Sequence, residues 1–181
     1  MADSRKIATA SLFGVIIAIV KGPILPPPTG DLLIVVEATL LALSFILLGV
    51  GGATLTAAVA GLLINILEPQ YSFYPFALAV LYGALTDALC SGLKVRSGEA
   101  VSSKRAAIAM TISSTIVGPV AYYATVYVTP ILPNDPAIYG TIVVVGVISG
   151  AIGGLLAVRL WNRNLSARFK AVSQPPAQPT A

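Results

Sequence analysis

The chain has 181 residues, 56% of them apolar and only 10% charged, against about 25% charged residues in an ordinary soluble domain. With a mean hydropathy of +0.89, that composition excludes a soluble globular fold and places the chain in a bilayer. One cysteine, Cys90, and no histidine exclude an intrachain disulfide, zinc-protease motifs and His-based acid–base catalysis.

The first predicted helix runs from Lys6 to Val20. Lys21-Gly22-Pro23 and Pro26-Pro27-Pro28 stop it, because proline lacks the N–H donor and clashes with the preceding turn. Its start is basic, but no small-residue cleavage site precedes a soluble domain, so it reads as a span and not as a signal peptide. The stretch Leu32 to Leu67 carries one charge, Glu37. It is too long for one span, since about 20 residues cross the hydrocarbon core. Gly49-Val50-Gly51-Gly52 is the best break and predicts a hairpin between helices 2 and 3. Helix 3 ends near Leu67, before Glu68-Pro69. Helix 4 is expected from Phe73 to Leu93, helix 5 from Ala106 to Val128 and helix 6 from Tyr139 to Leu160. The expected fold is all-α and polytopic, with six transmembrane helices forming one domain over residues 1–163. Residues 164–181 form a cytoplasmic tail, rich in Pro, Gln, Ala and Ser/Thr from Ser173, that predicts disorder.

The basic residues orient this arrangement. Arg5 and Lys6 lie at the start, Lys94, Arg96, Lys104 and Arg105 in one loop, and Arg159, Arg163, Arg168 and Lys170 at the end. Cytoplasmic flanks collect Lys and Arg, so both termini are expected in the cytoplasm of a cell-membrane protein. Only Lys21 is left outside. One long helix over Leu32–Leu67 would instead expose the Lys94–Arg105 loop, against this bias. The basic groups anchor helices at lipid heads and form no patch suited to nucleic acid.

Small residues recur every four positions: Ala10, Gly14 and Ala18 in helix 1, Ala53, Ala57 and Gly61 in helix 3, and Gly146, Gly150 and Gly154 in helix 6. Such faces let another helix backbone approach closely. For helices 3 and 6 the expectation is packing inside the bundle. For helix 1 the face suits either internal packing or another subunit.

All seven tyrosines, Tyr71, Tyr74, Tyr82, Tyr122, Tyr123, Tyr127 and Tyr139, fall in the outer half or near the midplane. Some suit an aromatic belt. A belt has two sides, however, and the inner side has little beyond Trp161 and Phe169, so an outward aromatic cavity is expected. Glu37 is the leading site candidate, because a carboxylate in a spanning helix faces a partner or a water-filled cavity; pairing with Lys21 is its other reading. Asn65 and Glu68 close the outer end of helix 3, and Glu68 reads equally as a solvated loop residue. The candidate binding set is Glu37, Asn65, Glu68, Tyr71, Tyr74, Tyr123, Tyr127 and Tyr139. Tyr123 and Tyr127, four apart, share a face and rank above Tyr122. Asp87 reads as structural, in contact with Lys94 or Thr86.

The size, the six short helices and the inside termini resemble the substrate-binding S components of energy-coupling factor (ECF) vitamin transporters. SFILLGVGGATLTAAVAGLLINIL (Ser44–Leu67) is similar to that family's third-helix region. YPFALAVLYGALTDAL (Tyr74–Leu89) and VVGVISGAIGGLLAVRLW (Val144–Trp161) are similar to the following and last helices. Ala10-x-x-x-Gly14-x-x-x-Ala18 resembles the motif by which the first helix docks on the transmembrane coupling subunit, although Gly14 stands where alanine is usual. The resemblance covers residues 5–163. It implies a non-enzymatic subunit that captures a vitamin or precursor from outside and joins a membrane T subunit and two cytoplasmic ATPases. No cofactor or metal is implied. The chain has no GxxxxGK[ST] phosphate loop, so energy must come from the partners. Carboxylates beside aromatic rings suit a cationic heteroaromatic cargo, and thiamine or its pyrimidine precursor fits; riboflavin, biotin and pyridoxine sites also use aromatic rings. The alternative is a small oligomeric channel or membrane assembly protein, with Gly146/Gly150/Gly154 mediating self-association and Glu37 lining a pore.

Overall fold

The structure, a computed structural model, describes residues 2–21, 29–69, 73–97, 100–128, 130 and 132–166. Among these residues six α-helices carry the fold: α1 (Ala2–Lys21), α2 (Thr29–Leu48), α3 (Gly52–Leu67), α4 (Tyr74–Gly92), α5 (Ser103–Tyr127) and α6 (Pro136–Leu160). A two-residue antiparallel pair, β1 (Arg96–Ser97) and β2 (Ala100–Val101), joins α4 to α5. A π-helical turn, Trp161–Leu165, extends α6. The expected tail falls beyond Ser166 on residues outside those described, except that residues 164–166 still belong to the helical extension.

Three helices, Tyr74–Gly92, Ser103–Tyr127 and Pro136–Leu165, are long and apolar enough to cross a membrane, and Leu33–Leu48 and Gly52–Leu67 are shorter apolar helices. Their outward faces are apolar. Ile108, Ile112 and Ile116 form an exposed row on α5, as do Ile148, Ile152 and Leu155 on α6. Water would penalise such rows and lipid would not.

The predicted hairpin is present. Gly49 and Gly51 have φ of +81° and +87°, left-handed values that only glycine adopts without a steric penalty. Val50 between them is the exposed tip. The turn is held by charged side chains from elsewhere in the chain. Asp87 of α4 accepts hydrogen bonds from the backbone N–H groups of Ala53 (3.2 Å) and Thr54 (2.8 Å) and from the Thr54 hydroxyl. Its carboxylate therefore caps α3, satisfying donors that have no partner in their own helix. Arg96 donates through Nη1 to the Ile46 carbonyl at the end of α2 (2.7 Å). Asp87 is thus structural as expected, but its partners are α3 backbone groups; no bond to Lys94 or Thr86 is present among the described residues.

Helix α2 is central and touches the other five helices; Ala38, Leu41, Ala42 and Ile46 on it are buried. Helices α5 and α6 pair antiparallel, as do α3 and α4. The small residues make these approaches possible. A Cβ at Gly150 would lie 2.6 Å from the Met110 carbonyl oxygen, and one at Gly154 2.7 Å from that of Ala106. On α4, Gly83 meets Ala53 and Ala57 of α3 in the same way. The α6 glycine face is therefore occupied by α5 and is not free for self-association.

Helix 1 departs from the docking expectation. Ala10, Gly14 and Ala18 are all buried, because α1 lies on α3. A Cβ at Gly14 would sit 2.8 Å from Val59 Cβ and 2.9 Å from the Thr56 carbonyl oxygen. Internal packing occupies this face. The outward apolar residues of α1 are instead Ile7, Leu12, Val15, Ile16 and Ile19.

Candidate functional site

The α2–α3 turn, the β pair, the start of α5 and the end of α6 lie at one end of the bundle, the hairpin end. The opposite end holds a cavity of about 540 Å³, lined from all six helices and the segment before α6. Two helix starts border it. Tyr74-Pro75 opens α4, with proline in the first turn, where its missing N–H costs nothing. Asp135 caps α6, its Oδ1 accepting from the Ala137 N–H at 2.8 Å, with Pro136 next. In α5, Pro119 removes the N–H that would bond the Thr115 carbonyl, and Gly118 next to it lines the cavity.

Charge in the cavity wall comes from Lys21, Glu37 and Glu68. Lys21 Nζ lies 2.6 Å from Glu37 Oε2, with the Glu37 side chain 7% and the Lys21 side chain 35% exposed. Pairing is thus how Glu37 is accommodated, and it leaves Glu68 as the unneutralised carboxylate of the wall. Among the described residues, one cation against two carboxylates leaves a net negative site.

The aromatic wall is Tyr74, Tyr82 and Tyr122. Each hydroxyl is held. Tyr74 donates to the Ala121 carbonyl (2.6 Å) and so ties α4 to α5. Tyr82 shares a hydrogen bond with Ser114 (2.7 Å) at a buried position. Tyr122 accepts from the Asp135 N–H (2.9 Å) and donates to the Asp135 carbonyl (3.1 Å). Tyr139 packs edge-on against the Tyr122 ring, at a centroid distance of 5.4 Å. With their hydroxyls engaged, these tyrosines offer a ligand ring faces and edges, not free hydroxyls. Such a chamber suits a planar aromatic molecule.

Of the expected binding set, Glu37, Glu68 and Tyr74 line the cavity together. Asn65 stands one turn before Glu68 and outside the lining; its Oδ1 is buried without a hydrogen-bond partner among the described residues. Tyr71 lies outside the described residues. Tyr123, Tyr127 and Tyr139 are not in the lining. The first two do share a face, with ring centroids 4.7 Å apart, but α5 turns that face outward and Tyr123 is 62% exposed. The ranking is reversed: Tyr122, 7% exposed, faces the cavity. Tyr82 and Lys21 also belong to the wall. The signal for Tyr122 is the row Ser114, Gly118, Tyr122 and Thr125, which shares one helix face opposite the apolar row Ile108, Ile112 and Ile116.

Comparison with known protein families, with curated proteins and with solved structures returns no match.

Proposed function

We propose that the chain spans the cell membrane six times with both termini in the cytoplasm, and that the cavity opens to the outside and captures a small planar ligand. The reading that fits best is the substrate-binding component of an ECF-type importer, working with a membrane T subunit and cytoplasmic ATPases. The observation that carries it is the 540 Å³ cavity with Glu68, the Lys21–Glu37 pair and three tyrosine rings in one wall. That volume is within the range of small-molecule sites, roughly 300–1,000 Å³. The basic residues of the hairpin end support the orientation, because they put the cavity on the side poor in Lys and Arg. The net negative wall and the aromatic rings favour a cationic heteroaromatic cargo such as thiamine or its pyrimidine precursor.

The test is transport in proteoliposomes. The chain alone should bind ligand without moving it. Uptake should require co-reconstituted coupling subunit, ATPases and internal ATP. Ligand or ion flux through the chain alone, without ATP, would contradict the importer reading and favour a channel.

A further inference from the structure

At the hairpin end, Arg159 of α6 and Arg163 of the π turn form a groove with Ser103, Leu155 and Asn162. Two other arginines at this end are used in the fold: Arg96 holds the Ile46 carbonyl and Arg105 the Lys94 carbonyl. Arg159 and Arg163 have no hydrogen-bond or ion-pair partner among the described residues. They stand one turn apart on the same helix face, where two guanidiniums can hold one phosphate between them. The π turn that carries Arg163 is a rare geometry, found often at functional sites.

The same face continues away from the arginines as an exposed apolar row, Leu155, Ile152 and Ile148. From position 148 to 159 the helix rises about 16 Å. That is close to half of a hydrocarbon core of about 30 Å, the depth of one leaflet.

We propose that this groove binds an anionic phospholipid, with its phosphate between Arg159 and Arg163 and an acyl chain along Leu155, Ile152 and Ile148. Charge complementarity selects the headgroup, and the length of the apolar row selects a lipid over a soluble anion. Basic pockets between membrane helices are suited to such headgroups. The proposal rests on the chain crossing a bilayer and not on the identity of the cavity ligand.

The test is native mass spectrometry of the full chain, released from mixed micelles of phosphatidylglycerol and phosphatidylcholine with matched acyl chains. Parent protein should retain phosphatidylglycerol preferentially. Arg159→Gln/Arg163→Gln should lose about 30-fold of that preference, from the surface worth of two basic residues. Arg159→Lys/Arg163→Lys should keep part of it. Lys6→Gln/Lys104→Gln, which removes equal charge from exposed positions elsewhere at this end, should keep nearly all. Equal loss in that control would mean diffuse charge and overturn the site. Displacement of the lipid by millimolar inorganic phosphate would make it a soluble-anion site and overturn the lipid assignment. Unchanged lipid preference in the Arg pair variant, with loss of an associated protein subunit, would assign the groove to a protein partner.

Discussion

The Lys21 ammonium lies 2.6 Å from the Glu37 carboxylate and so joins the last residue of α1 to the third turn of α2 across the cavity wall. The carboxylate is the buried partner and the ammonium the half-exposed one. Removing either one therefore has unequal consequences. Lys21→Met leaves a buried charge unpaired and should lower stability by about 3–5 kcal/mol. Lys21→Met/Glu37→Leu should recover most of that loss, because both charges are gone. Thermal unfolding in detergent measures both. The same pair governs ligand charge. A cationic ligand that reaches Glu37 competes with Lys21, so Lys21→Met should tighten its binding; a neutral ligand should not gain.

Tyr122 and Tyr123 are neighbours in sequence with opposite roles. Tyr122→Ala should weaken binding of the co-purified ligand about five- to 150-fold, the worth of one stacking ring at about 1–3 kcal/mol. Tyr122→Phe keeps the ring and cuts only the hydroxyl's bonds to the 133–135 segment, from Pro133, Asn134 and Asp135, so it should bind close to the parent. Tyr123→Ala should bind like the parent, because its ring faces outward. Calorimetric titration of the purified protein decides among these outcomes.

The helices were legible because their ends carry chemical signals. Gly49 and Gly51 marked the hairpin, and the structure uses both at positive φ. Helix α6 begins three residues earlier than expected, at Pro136. The Asp135-Pro136 start signal outweighs the loss of apolar character before Tyr139. Helix α5 likewise begins at Ser103, since Lys104 and Arg105 are polar but helix-compatible.

The site was less legible. A spacing of four shows that Tyr123 and Tyr127 share a face, but not which way the face points. The Glu37–Lys21 pair was only one of two readings of Glu37, because a charge at that depth needs either a partner or a water-filled cavity. The cap that Asp87 makes on α3 was not readable, because it joins residues 33 and 34 positions apart. Small residues at helix spacing serve an internal neighbour or another subunit equally well, so the role of Gly14 depended on where α1 lies.

Gly14→Leu should act on the fold. The new side chain meets Val59 and the Thr56 backbone, and overpacking of this kind costs about 1–3 kcal/mol or more. Asp87→Ala should cost about 1–3 kcal/mol by leaving the Ala53 and Thr54 N–H groups unsatisfied. Both variants should show lower melting temperatures. In the surviving folded fraction, ligand affinity should match the parent, since neither residue lines the cavity.

Orientation is open to cysteine labelling. Cys90 is buried, and Cys90→Ala supplies a clean background. In intact cells, Asn134→Cys near the cavity should react with an impermeant thiol reagent, and Ser103→Cys at the hairpin end should be protected. Equal labelling would contradict six spans with both termini inside.

The central claim is that the cavity holds a small molecule. Native mass spectrometry of the chain purified gently from membranes tests it most directly. The account predicts a monomer carrying one small molecule, present in Tyr123→Ala and lost or depleted in Ala121→Phe, which puts a ring into the cavity. A ligand-free oligomer, or a small molecule retained equally by Ala121→Phe, would contradict it.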